Sequence, residues 1–162
     1  MIGAPFDIFP LKITTSQALL AFVGQPVGDH ASRILFGYLH HHGITITCLV
    51  EGPGGGEHRT LLLVISEGAL HEAERELQAL RTAIEAKALM IEKPVAVIRI
   101  LGPHFDIRPG IAGMLYGRLE KAGIEVLVNS TTGTTSLLVV HETQLEKTRR
   151  ELTAIFRLPK SR

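Results

Sequence analysis

Apolar and polar residues alternate along this chain in two rhythms, and one stretch shows both in succession. Val95 to Leu101 is a short apolar run that predicts a strand, and it breaks at Gly102-Pro103. Apolar residues return at Ile111, Met114, Leu115 and Leu119, the spacing of a helix that begins at Arg108-Pro109-Gly110. A proline in the first turn costs a helix nothing, because its missing N–H would be unpaired there anyway. Lys121-Ala122-Gly123 predicts the stop, with a cation in the last turn and a glycine where a left-handed residue is needed. Ile124 to Asn129 follows as a second strand. The free N–H groups of the helix start point into the preceding loop and attract carboxylates.

The chain contains this pattern twice. At an offset of 80, Phe36/Tyr116, Gly37/Gly117, Leu39/Leu119, Gly43/Gly123 and Ile44/Ile124 coincide, with Ile46 over Val126. At an offset of 75, Leu62-Leu63-Val64 fall over Leu137-Leu138-Val139, and Glu67/Glu142, Leu70/Leu145, Arg75/Arg150, Glu76/Glu151 and Leu77/Leu152 follow. The five-residue change of offset falls in the stretch that holds Gly52-Pro53-Gly54-Gly55-Gly56. Two copies of one supersecondary unit with a loop-confined insertion have this appearance.

Taken in order, copy one predicts a strand over Ala18–Gly24, a loop over Gln25–His30, and a helix over Ala31–His42 with Asp29 as its N-cap. A strand over Ile44–Val50, a turn over Glu51–Glu57, a strand over Arg59–Ile65, an amphipathic helix over Leu70–Ile84 and a closing strand over Ala86–Glu92 complete it. That order is β-α-β-β-α-β, the split unit of a four-stranded antiparallel sheet backed by two helices. Copy two runs Val95–Leu101, Pro109–Ala122, Ile124–Ser130, Ser136–Val140 and Thr143–Phe156, and lacks a last strand. Phe6 to Ile13, apolar but punctuated by Pro10, is expected to close that open edge as the fourth strand. The expected fold class is therefore α+β, with two ferredoxin-like units: residues 14–92, inserted into a second made of 1–13 and 93–162.

Composition narrows the function. At 162 residues, 45% hydrophobic and 20% charged, the chain is expected to form packed cores. Its 17 basic and 16 acidic residues leave a formal charge of +1, which provides no field to hold a phosphate backbone. The strands carry Leu, Val, Ile and Thr rather than stacking aromatics, and there is no Trp, so RNA binding on the sheet is not expected either. The single cysteine, Cys48, excludes an internal disulfide and suits a reducing compartment. No apolar run approaches the ~20 residues of a membrane span, and the expectation is a cytoplasmic protein.

Several local motifs have simpler explanations than chemistry. Gly52 to Gly56 is followed by no Gly-Lys-Ser/Thr and opens no helix, so a flexible hairpin loop is expected rather than a phosphate cradle. His40-His41-His42 are consecutive on a helix and point in different directions; polar or cationic groups at a helix C-terminus are favourable without a metal. Ser130, His141 and Glu142 lack the Gly-x-Ser-x-Gly elbow of a nucleophile. No catalytic residue, metal or cofactor is expected.

With the copies laid out, the chain resembles the tandem ACT domains of the regulatory region of aspartokinase. The residues that carry the resemblance in copy one are Gln17-Ala18-Leu19-Leu20-Ala21-Phe22-Val23-Gly24-Gln25-Pro26 and Gly43-Ile44-Thr45-Ile46. In copy two they are Val95 to Gly102, Arg108-Pro109-Gly110-Ile111-Ala112, Ala122-Gly123-Ile124 and Ser130-Thr131-Thr132. The resemblance covers Leu11 to Phe156 and includes no kinase region, so the chain looks like the separately made small subunit of some aspartokinases, or a free-standing relative. It implies a non-catalytic module that binds a free amino acid, in that family usually lysine or threonine, between ACT domains of two chains. It also implies a homodimer and an aspartokinase-type catalytic chain, or another enzyme of amino-acid metabolism, as partner. Carried over by position, the ligand-binding residues are Gln25, Gly28, Asp29, His30 and Ala31 with Thr47 and Glu51 in copy one. In copy two they are Phe105, Asp106, Ile107, Arg108, Pro109 and Gly110 with Asn129, Ser130 and Thr131. Copy one departs from the family pattern, with Gly28-Asp29-His30-Ala31 in place of Asp-x-Pro-Gly, Thr47 in place of an acid and Glu51 in place of a glutamine. The alternative reading is a structural dimerisation module with a degenerate ligand site.

Overall fold

The structure is a computed structural model that describes Phe6–Asp7 and residues 11–102 and 109–157. It is a mixed α+β protein of mainly antiparallel strands and, among the described residues, five α-helices. The chain divides into two compact units, Ser16–Pro94 and Met1–Thr15 with Val95–Arg162.

In the unit Ser16–Pro94, β2 (Lys12–Pro26) pairs antiparallel with β4 (His58–Ser66), and β4 pairs with β3 (Cys48–Gly55). The ladder sets Leu20 opposite Leu63, Ala18 opposite Ile65 and Phe22 opposite Leu61. These six share one face and meet Leu35 and Leu39 of α1 (Asp29–His41), Leu70 and Ala73 of α2 (Glu67–Ala73) and Leu77 and Leu80 of α3 (Leu77–Ala83) in one buried cluster. Alternate strand residues point to the same face, so the apolar period along each strand decides which side the helices cover. Lys87 donates its N–H to the Val23 carbonyl (2.9 Å), which brings the chain back alongside β2 as β5 (Ala88–Leu101) begins.

The expected helix over Leu70–Ile84 is two. Glu76 N–H reaches the Ala73 carbonyl at 2.8 Å, an i→i−3 bond that tightens the chain and interrupts the α ladder between α2 and α3. The apolar stripe survives the break, because Leu70, Ala73, Leu77, Leu80 and Ile84 keep helical spacing. α2 starts at Glu67, three residues before the expected Leu70, because Ser66 is its N-cap: the Ser66 hydroxyl accepts from Ala69 N–H at 3.2 Å. Ser66→Ala is expected to cost about 1 kcal/mol, read as a shift of the urea midpoint with no change of slope.

Two further boundaries differ from the sequence reading. Ile44 does not open a strand: its N–H closes the end of α1 on Leu39 O (2.8 Å), beside Gly43 N–H on His40 O (3.1 Å), so β3 begins only at Cys48. Its sequence counterpart uses the same two bonds, Ile124 on Leu119 and Gly123 on Glu120, with Gly43 and Gly123 both left-handed at φ 62° and 64°. And the Gly-rich stretch is ladder rather than loose loop, since Gly52 faces Thr60, Pro53 faces Arg59 and Gly55 faces His58. Gly54 sits at the irregularity, where a Cβ would lie 2.8 Å from the Arg59 carbonyl carbon, so only glycine lets the two strands approach this closely.

In the other unit, β5 pairs antiparallel with β7 (Thr135–His141), which pairs with β6 (Val126–Thr131). Ala96, Ile98 and Ile100 of β5 with Leu138 and Val140 of β7 face Ile111, Leu115 and Leu119 of α4 (Ile111–Lys121) and Leu152 and Ile155 of α5 (Leu145–Ile155). A 3₁₀ turn, Glu142–Gln144, leads into α5. Arg118 Nε and Glu151 Oε2 tie α4 to α5 at 2.7 Å. Leu11 and Ile13 pack on this cluster. The expected strand Phe6–Ile13 is not one element. Phe6–Asp7 forms β1, parallel to β8 (Phe156–Arg157), Lys12 already belongs to β2, and residues 8–10 lie outside the described residues.

At the far end of α1, Tyr38 stacks on His42 with ring centroids 4.3 Å apart, and His42 Nε2 lies 3.5 Å from Glu76 Oε2. Among the described residues the buried Tyr38 hydroxyl has no partner in full hydrogen-bond geometry, the Glu76 carboxylate being the polar group near it. Burial pushes its phenol up from 10.0 to about 12, with the Glu76 carboxylate acting in the same direction. Because the folded-state value is the higher one, stability is full below pH 10 and falls as pH rises through about 12. Tyr38→Phe is expected to flatten that alkaline decline, measured as denaturation midpoints across this pH range.

Candidate functional site

The residues named from sequence converge best where β2 hands over to α1. Gln25, the penultimate residue of β2, stands opposite Arg59 of β4, after an irregularity in the ladder between Val23 and Gln25. Arg59 shares the sheet face of Leu61 and Leu63, so Gln25 points to the helix-covered side. Its side chain is 2% exposed, and among the described residues its Oε1 has no donor. A buried carbonyl oxygen without a partner is rare and costly in a native structure.

Gly28 is the N-cap of α1 (φ 145°, ψ 170°), and no side chain caps the helix there. Asp29 is thus the first helical residue rather than the expected cap; a glycine cap leaves the first N–H groups of the helix without an internal acceptor. His30 is exposed and Ala31, 5% exposed, faces the core. Val27 N–H donates to Glu57 O at 3.1 Å, which ties the loop to the β3–β4 hairpin. Between them lies a cavity of about 420 Å³, lined by Val27, by Glu51, Gly52 and Pro53 of β3, by Gly56 of the turn, and by His58 and Arg59 of β4. Glu51 Oε1 and Arg59 Nη1 are 3.1 Å apart across it.

Thr47 is not brought to this place. Its hydroxyl donates to Gln17 Oε1 at 2.7 Å, and its N–H to Val64 O, at the opposite end of β2 from Gln25. Arg59 and His58 are the polar lining residues that sequence reasoning missed. The only signal for Arg59 was its place diagonal to Glu51 across a Gly-rich hairpin, two residues from Glu51's ladder partner Leu61, and that needs the register.

In the second copy, Phe105, Asp106, Ile107 and Arg108 lie outside the described residues. Pro109 precedes the helix instead of opening it: the N-cap is Gly110, left-handed at φ 90°, again without a side-chain cap. Asn129 and Ser130 lie on β6 opposite Leu138 and Leu137. Thr131 Oγ1 is 2.9 Å from Tyr116 Oη and 3.1 Å from the buried Ser136 Oγ, a chain of hydroxyls linking α4, β6 and β7. A second cavity of about 410 Å³ lies at the other end of α4 from Gly110, among Tyr116, Leu119, Ile124 and Val126.

His141 Nε2 faces Glu125 at 3.8 Å. Among the described residues no three His, Cys, Asp or Glu side chains are grouped to hold a metal ion. No helix among them is long and apolar enough to cross a membrane.

No protein-family model matches the sequence, and no curated protein does. Solved structures do match. The regulatory subunit of aspartate kinase from Thermus flavus superposes with a TM-score of 0.79 over 92% of this chain and 98% of its own, at 14% identity. The ligand-free regulatory subunit from Thermus thermophilus gives 0.78 over 93% and 99%, at 15% identity. Aspartate kinase from Synechocystis gives 0.82 over 96% of this chain but 28% of its own, at 20% identity. At such identities the likeness is one of fold, and the fold is that of aspartate kinase regulatory domains, as the sequence motifs implied.

Proposed function

We propose that this chain, with the fold of an aspartate kinase regulatory subunit, is a non-catalytic regulatory module that binds a free amino acid and thereby controls a partner enzyme of amino-acid metabolism. The observation that carries this reading is the end-to-end likeness to a separately made regulatory subunit, 92% of one chain against 98% of the other. In this reading the chain is two ferredoxin-like ACT domains in tandem. The first is inserted into the second, whose sheet the N-terminal residues help to complete. The division after Thr15 and after Pro94 supports that arrangement, and so does the packing of Leu11 and Ile13 on the cluster of Ile98 and Leu138.

The amino acid is proposed to bind where β2 meets α1. The uncapped helix start favours its carboxylate, and the unpartnered Gln25 oxygen accepts from a donor it brings. Phe36, Ile46 and Leu49 are large apolar side chains left 36–42% exposed, which supports pairing with a second copy in the cytoplasm. A ligand that binds one arrangement better than another shifts the equilibrium by its differential affinity, and ~1–3 kcal/mol is enough to throttle an enzyme. The partner proposed is an aspartokinase-type catalytic chain.

Isothermal titration of the whole chain with the twenty common amino acids is expected to give saturable binding of at least one below millimolar concentration. Silence from all of them at millimolar concentration sinks the sensor. The second reading, a structural dimerisation module with a degenerate site, draws on Thr47, whose hydroxyl is already bonded to Gln17. A pulldown of an aspartokinase-type enzyme separates the two, because only a sensor's capture changes when amino acid is added.

A further inference from the structure

Resting on the reading that this chain acts through a partner enzyme, we infer that the cavity at the C-terminal end of α4 is a docking site for a lysine or arginine side chain carried by that partner. The cavity measures about 410 Å³. Leu119, Ile124 and Val126 give it apolar walls, and Tyr116 adds an aromatic one, held in place by the 2.9 Å contact of its hydroxyl with Thr131. Glu120 and Glu125 complete the polar part of the lining, and among the described residues no Lys or Arg shares it. The basic residues in the last turn of α4, Arg118 and Lys121, line a separate groove beside Ile155, and Arg118 is engaged there by Glu151 at 2.7 Å. His141 stands 3.8 Å from Glu125 and carries a charge only when protonated.

The folding of α4 does not require those carboxylates. A helix C-terminus carries partial negative charge and favours cations, so Glu120, in the last turn, is set against the field of its own helix, and Glu125 follows just past the end. The helix-ending bonds are the same in both copies, yet at an offset of 80 the places of Glu120 and Glu125 are held in copy one by His40 and Thr45. The terminating motif therefore forms without them. A cation in the cavity relieves the repulsion. An ammonium or guanidinium there meets two carboxylates, the negative end of a helix and an aromatic ring, while its alkyl stem lies along the apolar walls. Lysine and arginine side chains combine those two parts.

The test is nuclear magnetic resonance titration of the whole chain with lysine and arginine blocked at both ends as Nα-acetyl amides, against norleucine blocked in the same way, which keeps an alkyl stem without the charge. Blocking removes the free amine and carboxylate of an amino-acid effector, so the proposed sensor site is not probed. The parent is expected to show saturable shifts at the amides of residues 123–126, with the cationic probes binding at least about fivefold more tightly than norleucine. Glu120→Gln combined with Glu125→Gln is expected to erase that preference while the urea midpoint holds or rises, because negative charge leaves the negative end of the helix. Salt at about 0.5 M is expected to weaken the cationic probes more than norleucine. Absence of shifts at about 50 mM probe, equal binding of the three probes, or a preference that survives both substitutions overturns the inference and leaves the regulatory reading standing. Cadaverine binding more than about tenfold tighter than blocked lysine assigns the cavity to a free diamine and also overturns docking. The expected shifts, together with no capture of an aspartokinase-type enzyme in the pulldown, overturn the choice of enzyme and keep the site.

Discussion

Phe22→Ala is expected to lower the stability of the unit Ser16–Pro94 by about 3–5 kcal/mol, the cost of emptying a fully buried aromatic site. Phe22 is 0% exposed, stands opposite Leu61 in the β2–β4 ladder, and belongs to the cluster that holds β2 and β4 to α1, α2 and α3. Removing the ring takes away transfer free energy and leaves a hole that rigid strands on either side cannot collapse into. Phe22→Leu keeps most of the volume and is expected to cost less than half as much. Urea denaturation read by far-ultraviolet circular dichroism measures both; near-equal losses for the two variants would mean that the site is not close-packed. Because Phe22 lies three residues before Gln25, the Ala variant should also weaken the amino-acid binding proposed above, by loosening the strand that carries Gln25.

Ile98→Ala is expected to have the second largest effect, about 2–5 kcal/mol, with Ile98→Val at about 0.5–1.5 kcal/mol. Ile98 is 0% exposed on β5, opposite Leu138, with Leu115 and Leu152 from α4 and α5 in the same cluster. A graded series Ile, Val, Ala removes one methyl and then two more carbons from a site without polar atoms, so the slope reports packing alone. Hydrogen exchange should place the lost protection on β6, β7, α4 and α5, the elements that share this cluster with β5. A loss that appears instead on α1 and α2 would show that the cluster assignment is wrong.

Much of this was readable in the chain before any coordinates. The paired signals Leu39-Gly43-Ile44 and Leu119-Gly123-Ile124 reappear as one helix-ending motif made twice, because the motif depends on a glycine at one position and on local bonds no longer than five residues. Leu63 with Leu138, and Ile65 with Val140, are buried at matching positions of the two copies, because strand period alone assigns a side to each residue. The helix break at Ala73–Glu76 was not readable, since an i→i−3 bond leaves the apolar spacing intact. Nor was the strand character of Gly52–Gly55, where composition argued for a loop and the ladder opposite His58–Thr60 prevailed.

The candidate site divides along the same line. Gln25, Gly28 and Glu51 were nameable from motif position, whereas Thr47 turned out to be bonded to Gln17, thirty residues earlier, and Arg59 entered only through the ladder. The sequence by itself determined the residue types, the two apolar rhythms and the turns between them, since these follow from interactions within a few residues. Tertiary structure alone decided which oxygen is left without a donor and which carboxylate is neutralised. Both depend on cross-strand register, and a one-residue slip or bulge moves every side chain beyond it to a different neighbour.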